Sequence, residues 1–173
     1  MPDRPAFIVS ADSLPEYAHV YPQSTEAMGP TRSLGAAAGL QRIGINLQRL
    51  PPGTRSSWPH AESDEEEFVY VIEGEVQAWI DGHLHPMKAG DLAAFPAGTG
   101  ISHCFINNGE REALLLVGGD VARASNRIFY PLNPTRQQDL PPALWWHDVP
   151  AHEQGPHDGL PDALRESTPS ADA

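Results

Sequence analysis

Four side chains could converge on one divalent metal: His60, Glu62, Glu67 and His103. Three of them lie in SWPHAESDEEEFVYVIEGE, residues 57–75, where a proline-broken loop runs into a strand. In an extended chain, side chains two positions apart share a face. His60 and Glu62 therefore point together. Glu67, Val69 and Val71 form a second same-face set, with Phe68, Tyr70 and Ile72 opposite. If Ser63 to Glu66 turn the chain, Glu67 meets His60 and Glu62 at the mouth of a closed sheet, and His103 supplies a fourth donor. Phe105 and Asn107 share the face of His103, whereas Cys104 and Ile106 point away, so Cys104 is read as core. Imidazoles with carboxylates suit Fe²⁺, Mn²⁺, Ni²⁺ or Zn²⁺, and the lack of thiolate counts against a closed structural zinc site. Asp64, Glu65 and Glu66 are read as solvated loop. Two other arrangements stay open: Glu62 turns to water while Glu65 or Glu66 completes a site, or no metal binds.

The elements that must hold these groups are short strands. From Ile43 the chain reads as strand-like runs cut by turn residues: IGINLQRL, FVYVIEGE, VQAWI, GDLAAFP, HCFINN and EALLLVGG. With no helical stretch between them, the strands are expected to be antiparallel and joined by hairpins, Ile80-Asp81-Gly82-His83 forming a tight turn. The fold class is all-β, a sandwich or small barrel. Residues 1–41 read as an N-terminal arm with at most one strand, 42–121 as the barrel core, and 122–173 as a Pro-rich C-terminal extension lying on the barrel or on a partner subunit. The last dozen residues are expected to be disordered.

Composition bounds the possibilities. A chain of 173 residues, 40% apolar, supports one domain with tails. Its 18 prolines and 15 glycines favour turns and short strands over helices. A formal net charge of −12, with Lys88 the only lysine, argues against nucleic acid or an anionic membrane as partner. Cys104 is alone, so no disulfide framework is expected. The opening MPDRPAFIVSADSL carries neither a secretory signal nor a spanning run, so a cytoplasmic protein is expected.

These residues resemble the two motifs of the cupins, small β-barrels that hold one metal among histidines and a glutamate. Gly53, His60, Glu62, Glu67 and Gly74 follow the first motif in order, and the spacing from Glu67 to Gly74 fits it. Gly90, Pro96, Gly98, His103 and Asn107 follow the second. The chain departs in three ways: His60 stands one residue late, Glu62 replaces the second histidine, and Thr99 to Ser102 is two residues longer than usual. The resemblance runs from Gly39 to Gly119. It implies a single-domain cupin, an antiparallel jelly-roll barrel (double-stranded β-helix), with one divalent transition metal held by His60, Glu62, Glu67 and His103. It also implies a homodimer built through sheet edges and exchanged N-terminal strands, which a strand-bearing arm would suit.

A carboxylate at position 62 in place of imidazole leaves the ligand set and a divalent ion formally neutral, which makes the metal a weaker Lewis acid and hydrolysis the less favoured chemistry. Barrels of this kind serve dioxygenases, isomerases, lyases and non-catalytic modules alike. The expected function is a metal-dependent enzyme on a small oxygen-bearing metabolite that chelates the metal, dioxygenase-like with iron or sugar-isomerase-like with manganese or zinc. The few central cations, Arg42, Arg49 and Arg55, count against a phosphorylated substrate. The alternative is a non-catalytic, sugar-binding module, which an apolar cavity with Glu62 and Glu67 turned outward would favour. A regulator's sensor domain is poorly matched, since no helix-turn-helix is legible.

His147, His152 and His157 recur every fifth residue, a spacing that no regular element puts on one face, so turn caps are expected. Trp145 and Trp146 are expected to dock on the sheet or a dimer seam rather than form a lid over the barrel mouth. His83 and His85 flank a hairpin and should be solvated. Asn46 and Arg49 are candidates to reach the cavity.

Overall fold

In the computed structural model, which describes residues 4–165, alternating apolar positions build a sandwich of antiparallel strands. The arm carries β1 (Thr31–Ser33) and the single helical turn α1 (Leu34–Ala37), and after it come β2 (Ile43–Leu50), β3 (Thr54–Arg55), β4 (Ala61–Glu62), β5 (Glu67–Glu73) and β6 (Glu75–Ile80). Then follow β7 (His83–Lys88), β8 (Leu92–Phe95), β9 (His103–Asn107), β10 (Ala113–Asp120), β11 (Ile128–Phe129) and the turn α2 (Asp162–Arg165). One sheet has the order β1-β2-β10-β5-β8 and the other β3-β9-β6-β7, while β11 and β4 form a separate two-stranded ladder.

The all-β, jelly-roll expectation holds, but the expected hairpins are mostly absent. β5 and β6 are separated only by Gly74 and lie in different sheets. Gly74 turns the chain at φ 82°, and a Cβ there would come within 2.9 Å of Ala113 Cα and Glu112 O. From β2 to β10 the strands outside the β4–β11 ladder change sheet at each step except β6–β7, which is the one tight hairpin. Its turn has Asp81 at φ 44° and Gly82 at φ 84°, the left-handed pair that matches strand twist. β7 escaped the sequence reading because HLHPMK, with two histidines and a proline, lacks an apolar alternation.

The core follows the period-two rule. Val69 and Val71 of β5 are buried while Tyr70 and Ile72 are exposed, and the inward side chains Leu50, Val76, Phe95, Phe105 and Leu115 complete the interior between the sheets. Trp79, Cys104 and Ile106 form a second buried cluster on the opposite face of the β6–β9 pair. The C-terminal extension covers them: the Trp79 indole N–H donates to His157 O (2.9 Å), Gly155 N–H to Asp81 O (2.7 Å) and His157 N–H to Gly82 O (3.1 Å). The extension thus lies on its own barrel. Of the last dozen residues, Asp162–Arg165 form a helical turn with Arg165 paired to Asp158, and 166–173 lie outside the described residues.

Both tails are fastened through Arg55. Its guanidinium is buried, donates to both oxygens of Glu26 in the arm (2.8 and 2.6 Å) and to Gly159 O in the extension (2.7 Å). The arm's strand β1 pairs with β2 of the same chain, and Tyr17 bridges to Thr31 beyond it. The outer face of the five-stranded sheet, by contrast, presents Ile43, Tyr70, Ile72 and Leu92 to solvent, between 37% and 59% exposed. Among the described residues no helix is long and apolar enough to cross a membrane.

Gly155 approaches Gly82 so closely that a Cβ at 155 would strike the Gly82 carbonyl and the His83 ring. Gly155→Val is therefore expected to lift the extension from the hairpin. Cys104, fully buried and with its thiol pushed up to about 12 by burial, should be inert to a thiol reagent in the native wild type and become reactive in Gly155→Val. A variant as inert as wild type would show that the extension does not seal this cluster.

Candidate metal centre

His60 and His103 are brought together by main chain. The two residues form an antiparallel bridge, His60 N–H to His103 O at 3.2 Å and His103 N–H to His60 O at 2.9 Å, which sets their rings 5.1 Å apart. Glu67 enters from the facing sheet as the first residue of β5. Its Oε2 lies 3.4 Å from His60 Nε2 and 3.2 Å from His103 Nε2, and one ligand atom from each of the three residues lies within 4.8 Å of the others.

Neighbouring groups aim both rings. His60 Nδ1 donates to Trp58 O at 2.8 Å, and His103 Nδ1 faces Ile101 O at 3.5 Å while its ring stacks on Phe95 at a centroid distance of 3.5 Å. Holding the proton on Nδ1 turns the Nε2 lone pair of each ring toward Glu67, the second-sphere arrangement of metal-ligating histidine. Glu67 Oε2 is buried and has no hydrogen-bond partner, its two imidazole contacts being of ion-pair length without hydrogen-bond alignment. Two nitrogen lone pairs and a buried carboxylate oxygen facing one point repel unless a cation or proton sits among them. The donor set fits a divalent transition metal.

Without an ion the three groups share protons. Burial opposes a charge on His60, but the Glu67 and Glu62 carboxylates and the Trp58 carbonyl outweigh it and push His60 up to about 9. Burial, aided by the charge of His60, holds His103 below its usual value despite the contact with Glu67. For Glu67 burial works upward, yet the two facing imidazoles carry the carboxyl well below the usual range.

Glu62 stands beside this trio rather than within it. Its Oε1 is 4.0 Å from His60 Nε2, and its Oε2 accepts from the Asn126 amide. Burial, partly offset by His60 and Asn126, pushes Glu62 up to about 7. Asp64, Glu65 and Glu66 face the segment after β10: Glu65 accepts from Arg123 N–H, Asp64 from Ser125 Oγ, and Glu66 N–H donates to Asp120. They form the loop that turns the chain between Glu62 and Glu67, and none belongs to the converging group.

A cavity of about 160 Å³ adjoins the trio, lined by Thr31, Asn46, Gln48, Ser56 and Ser57 with Val69, Phe105 and Val117. A larger cavity, about 320 Å³, borders the same carboxylate from the other side, lined by Glu66, Glu67, Phe68, Ala94, Phe95 and Pro96, and it lacks both histidines. Asn46 lines the smaller cavity as expected, whereas Arg49 lies outside it, paired to Glu16 (2.7 Å) and Glu112 (2.6 Å). Residues three apart on one strand face opposite ways, so parity alone excludes both from facing inward.

His83 and His85 are exposed. His157 receives the Gly159 N–H (3.0 Å) within its own turn as expected, whereas His152 reaches across to Thr99 O (2.8 Å) and Asp81 (3.7 Å), and among the described residues neither joins a second converging group. Trp145 packs with Tyr21, Met28, Trp58 and Tyr130, and the Tyr130 ring lies 5.9 Å from that of His60. Sequence reasoning missed Gln48, Ser56 and Asn126. Gln48 was findable from its parity with Asn46, whereas nothing local marks Asn126.

The strand order, the two motifs and the converging donors define a class, and a cupin domain profile matches residues 46–118. The chain belongs to the cupin family. Among curated proteins it is similar to "Protein SchB" of Streptomyces halstedii, 30% identical over 116 residues that cover 67% of this chain and 78% of that one. It is 33% identical over 84 residues to "Polyketide synthase CurC" of Streptomyces cyaneus, 49% of this chain and 50% of CurC, so it spans about half the length of that relative. Among solved structures it is similar to a sugar phosphate isomerase of the cupin superfamily from Silicibacter pomeroyi DSS-3, with TM-score 0.63 and 36% identity, covering 71% of this chain and 80% of that one.

The raised His60 value has a consequence for the metal-free fold. A base protonated more readily when folded than when unfolded adds stability that is complete below its ordinary 6.5 and lost as pH rises through about 9. Urea unfolding of chelator-treated protein should show stability falling across that window, and His60→Gln should flatten the fall. An unchanged slope in the variant would assign the loss to another group.

Proposed function

We propose that this cupin binds one divalent transition metal through His60, Glu67 and His103, with Glu62 as the fourth protein donor beside them, and acts on a small, polyoxygenated metabolite. The observation that carries the reading is the buried Glu67 Oε2, without a hydrogen bond and facing two imidazole Nε2 atoms whose other nitrogens are turned to carbonyls. A bound ion of this kind supplies Lewis acidity toward a chelating pair of substrate oxygens. The chain supplies the rest: Asn46, Ser56 and Ser57 line the cavity with amide and hydroxyl groups, Gln48 offers its amide oxygen while its nitrogen donates to Gly29 O and Ser56 O, and Val69, Phe105 and Val117 keep the inner wall apolar. Oxygenation with iron and isomerisation with manganese or zinc are the two chemistries this donor set favours, since two carboxylates weaken the ion's activation of water.

The lining also speaks to substrate charge. No arginine or lysine lines the cavity, Arg55 being bound to Glu26 and Gly159 and Arg49 to Glu16 and Glu112. A phosphate group would lack its usual cationic partners. An uncharged hydroxy-carbonyl compound fits better than a sugar phosphate, and 160 Å³, the share of about five waters, admits a small molecule or one end of a larger one. The non-catalytic module would be favoured by a cavity lined only by apolar side chains with Glu62 and Glu67 turned outward, whereas this lining is mixed and Glu67 is part of it.

Plasma mass spectrometry on untagged protein is expected to find near-stoichiometric iron, manganese, nickel or zinc in wild type and a loss of more than tenfold in Glu67→Ala/His103→Ala. Absence of metal under every loading condition would sink the reading.

For the homodimer we propose the open face of the five-stranded sheet rather than a sheet edge. β7, an edge of the four-stranded sheet, is blunted by Pro86 and Lys88, and β1, an edge of the five-stranded sheet, belongs to the arm and pairs with β2. In a chain of net charge −12, the exposed apolar side chains Ile43, Tyr70, Ile72 and Leu92 of this face are where two like-charged copies can meet. Light scattering should give twice the subunit mass for wild type and one subunit for Tyr70→Glu/Leu92→Glu. A single-subunit wild type would remove the dimer and leave the face to another partner.

A further inference from the structure

The region matched by the cupin profile ends within β10, and the chain beyond it returns across the loop that separates Glu62 from Glu67. β11 pairs there with β4, placing Ile128 opposite Glu62, and Arg127 exchanges two bonds with Ser63: Ser63 N–H to Arg127 O at 2.9 Å and Arg127 N–H to Ser63 Oγ at 2.7 Å. This ladder fixes the height of Asn126. Its Oδ1 accepts the N–H groups of Ser63 (3.1 Å) and Asp64 (3.0 Å), and its Nδ2 donates to Glu62 Oε2. The amide has only one workable orientation. Flipped, it would set its NH₂ against two backbone donors and its carbonyl against a carboxylate.

We propose that Asn126 is a positioning residue of the candidate metal centre, holding one oxygen of Glu62 so that the carboxylate offers only Oε1 on the His60 side. The proposal rests on the metal reading above. A free glutamate can present either oxygen or both to a metal, and it samples several rotamers. With Oε2 occupied by the amide, Glu62 becomes a single-oxygen donor whose Oε1 stays 4.0 Å from His60 Nε2. Segment 120–128 thereby contributes to the centre without touching its three converging atoms. The same side chain shapes the turn that delivers Glu67, because the two backbone N–H groups it accepts open the acidic loop.

Asn126→Asp separates the two roles. It keeps the oxygen that accepts the loop N–H groups and replaces the donor to Glu62 with an oxygen that repels it. Co²⁺ titration followed by visible absorption reads both affinity and coordination. Wild type is expected to take one Co²⁺. N126D should also take one, at saturation, with Kd weakened about 10- to 100-fold and a changed visible band. E62Q should change the band as well, and N126D/E62Q should bind no more weakly than E62Q alone. An N126D spectrum and affinity equal to wild type, or a loss that adds in full to that of E62Q, would overturn the proposal while leaving the metal reading intact. A wild type that takes no Co²⁺ would overturn both. Cys104 left inert to a thiol reagent certifies the fold of each variant. Should N126D fail that control, Asn126→Ser, which keeps an acceptor oxygen but lacks the reach to Glu62, is judged by the same outcomes.

Discussion

The two main-chain hydrogen bonds between His60 and His103 are the constraint on which the candidate site depends. They join the loop before β4 to the start of β9, segments whose side chains would otherwise have no reason to meet. Because the bonds are between backbones, the imidazoles are placed before any contact between the rings is made. Phe95 then stacks on one ring and the Trp58 carbonyl fixes the other, so both Nε2 atoms are turned toward Glu67 across the sandwich. Three donor atoms facing one buried point repel unless a proton or a cation lies among them, and this is the physical basis for proposing a cation there.

A second dependence runs through Arg55. Its charge is buried, and three acceptor atoms satisfy it, two from the arm and one from the extension. Removing one partner of such a pair leaves an uncompensated buried charge, typically worth about 3–5 kcal/mol. The arm, β3 and the extension are thereby tied at one point, next to the strand that leads into the His60 loop. The tails are part of the folded unit, since they cover Trp79, Cys104 and Ile106 and close the aromatic cluster of Tyr21, Trp58, Tyr130 and Trp145 beside His60.

Charge is arranged with the same economy. Much of the acidity faces solvent or pairs with scattered arginines, as at Arg49, Arg123 and Arg165. The cavity wall beside the histidines carries amides, hydroxyls and apolar groups, with Glu67 as its one charged carboxylate. A polar but cation-free cavity favours ligands that bring oxygen lone pairs and hydroxyl donors over ligands that bring phosphate.

Read alone, the sequence determined whatever depends on neighbours within a few residues. The alternation at Val69, Tyr70, Val71 and Ile72, the Asp81-Gly82 turn, the core placement of Cys104, and the inward face shared by His103 and Phe105 all follow from the two-residue period of an extended chain. Motif order pointed to His60, Glu62, Glu67 and His103, of which all but Glu62 have ligand atoms within 4.8 Å of one another. Only the tertiary structure decided what depends on which segment returns to which: the change of sheet at Gly74, the pairing of β4 with a strand from the extension, the outward turn of Arg49, and the hold of Asn126 on Glu62. Glu62 and Asn126 are 64 positions apart, and no local pattern encodes their meeting. Strand pairing closes such distances through backbone groups that every residue carries alike, so composition and spacing leave the partner unspecified until the whole sandwich assembles.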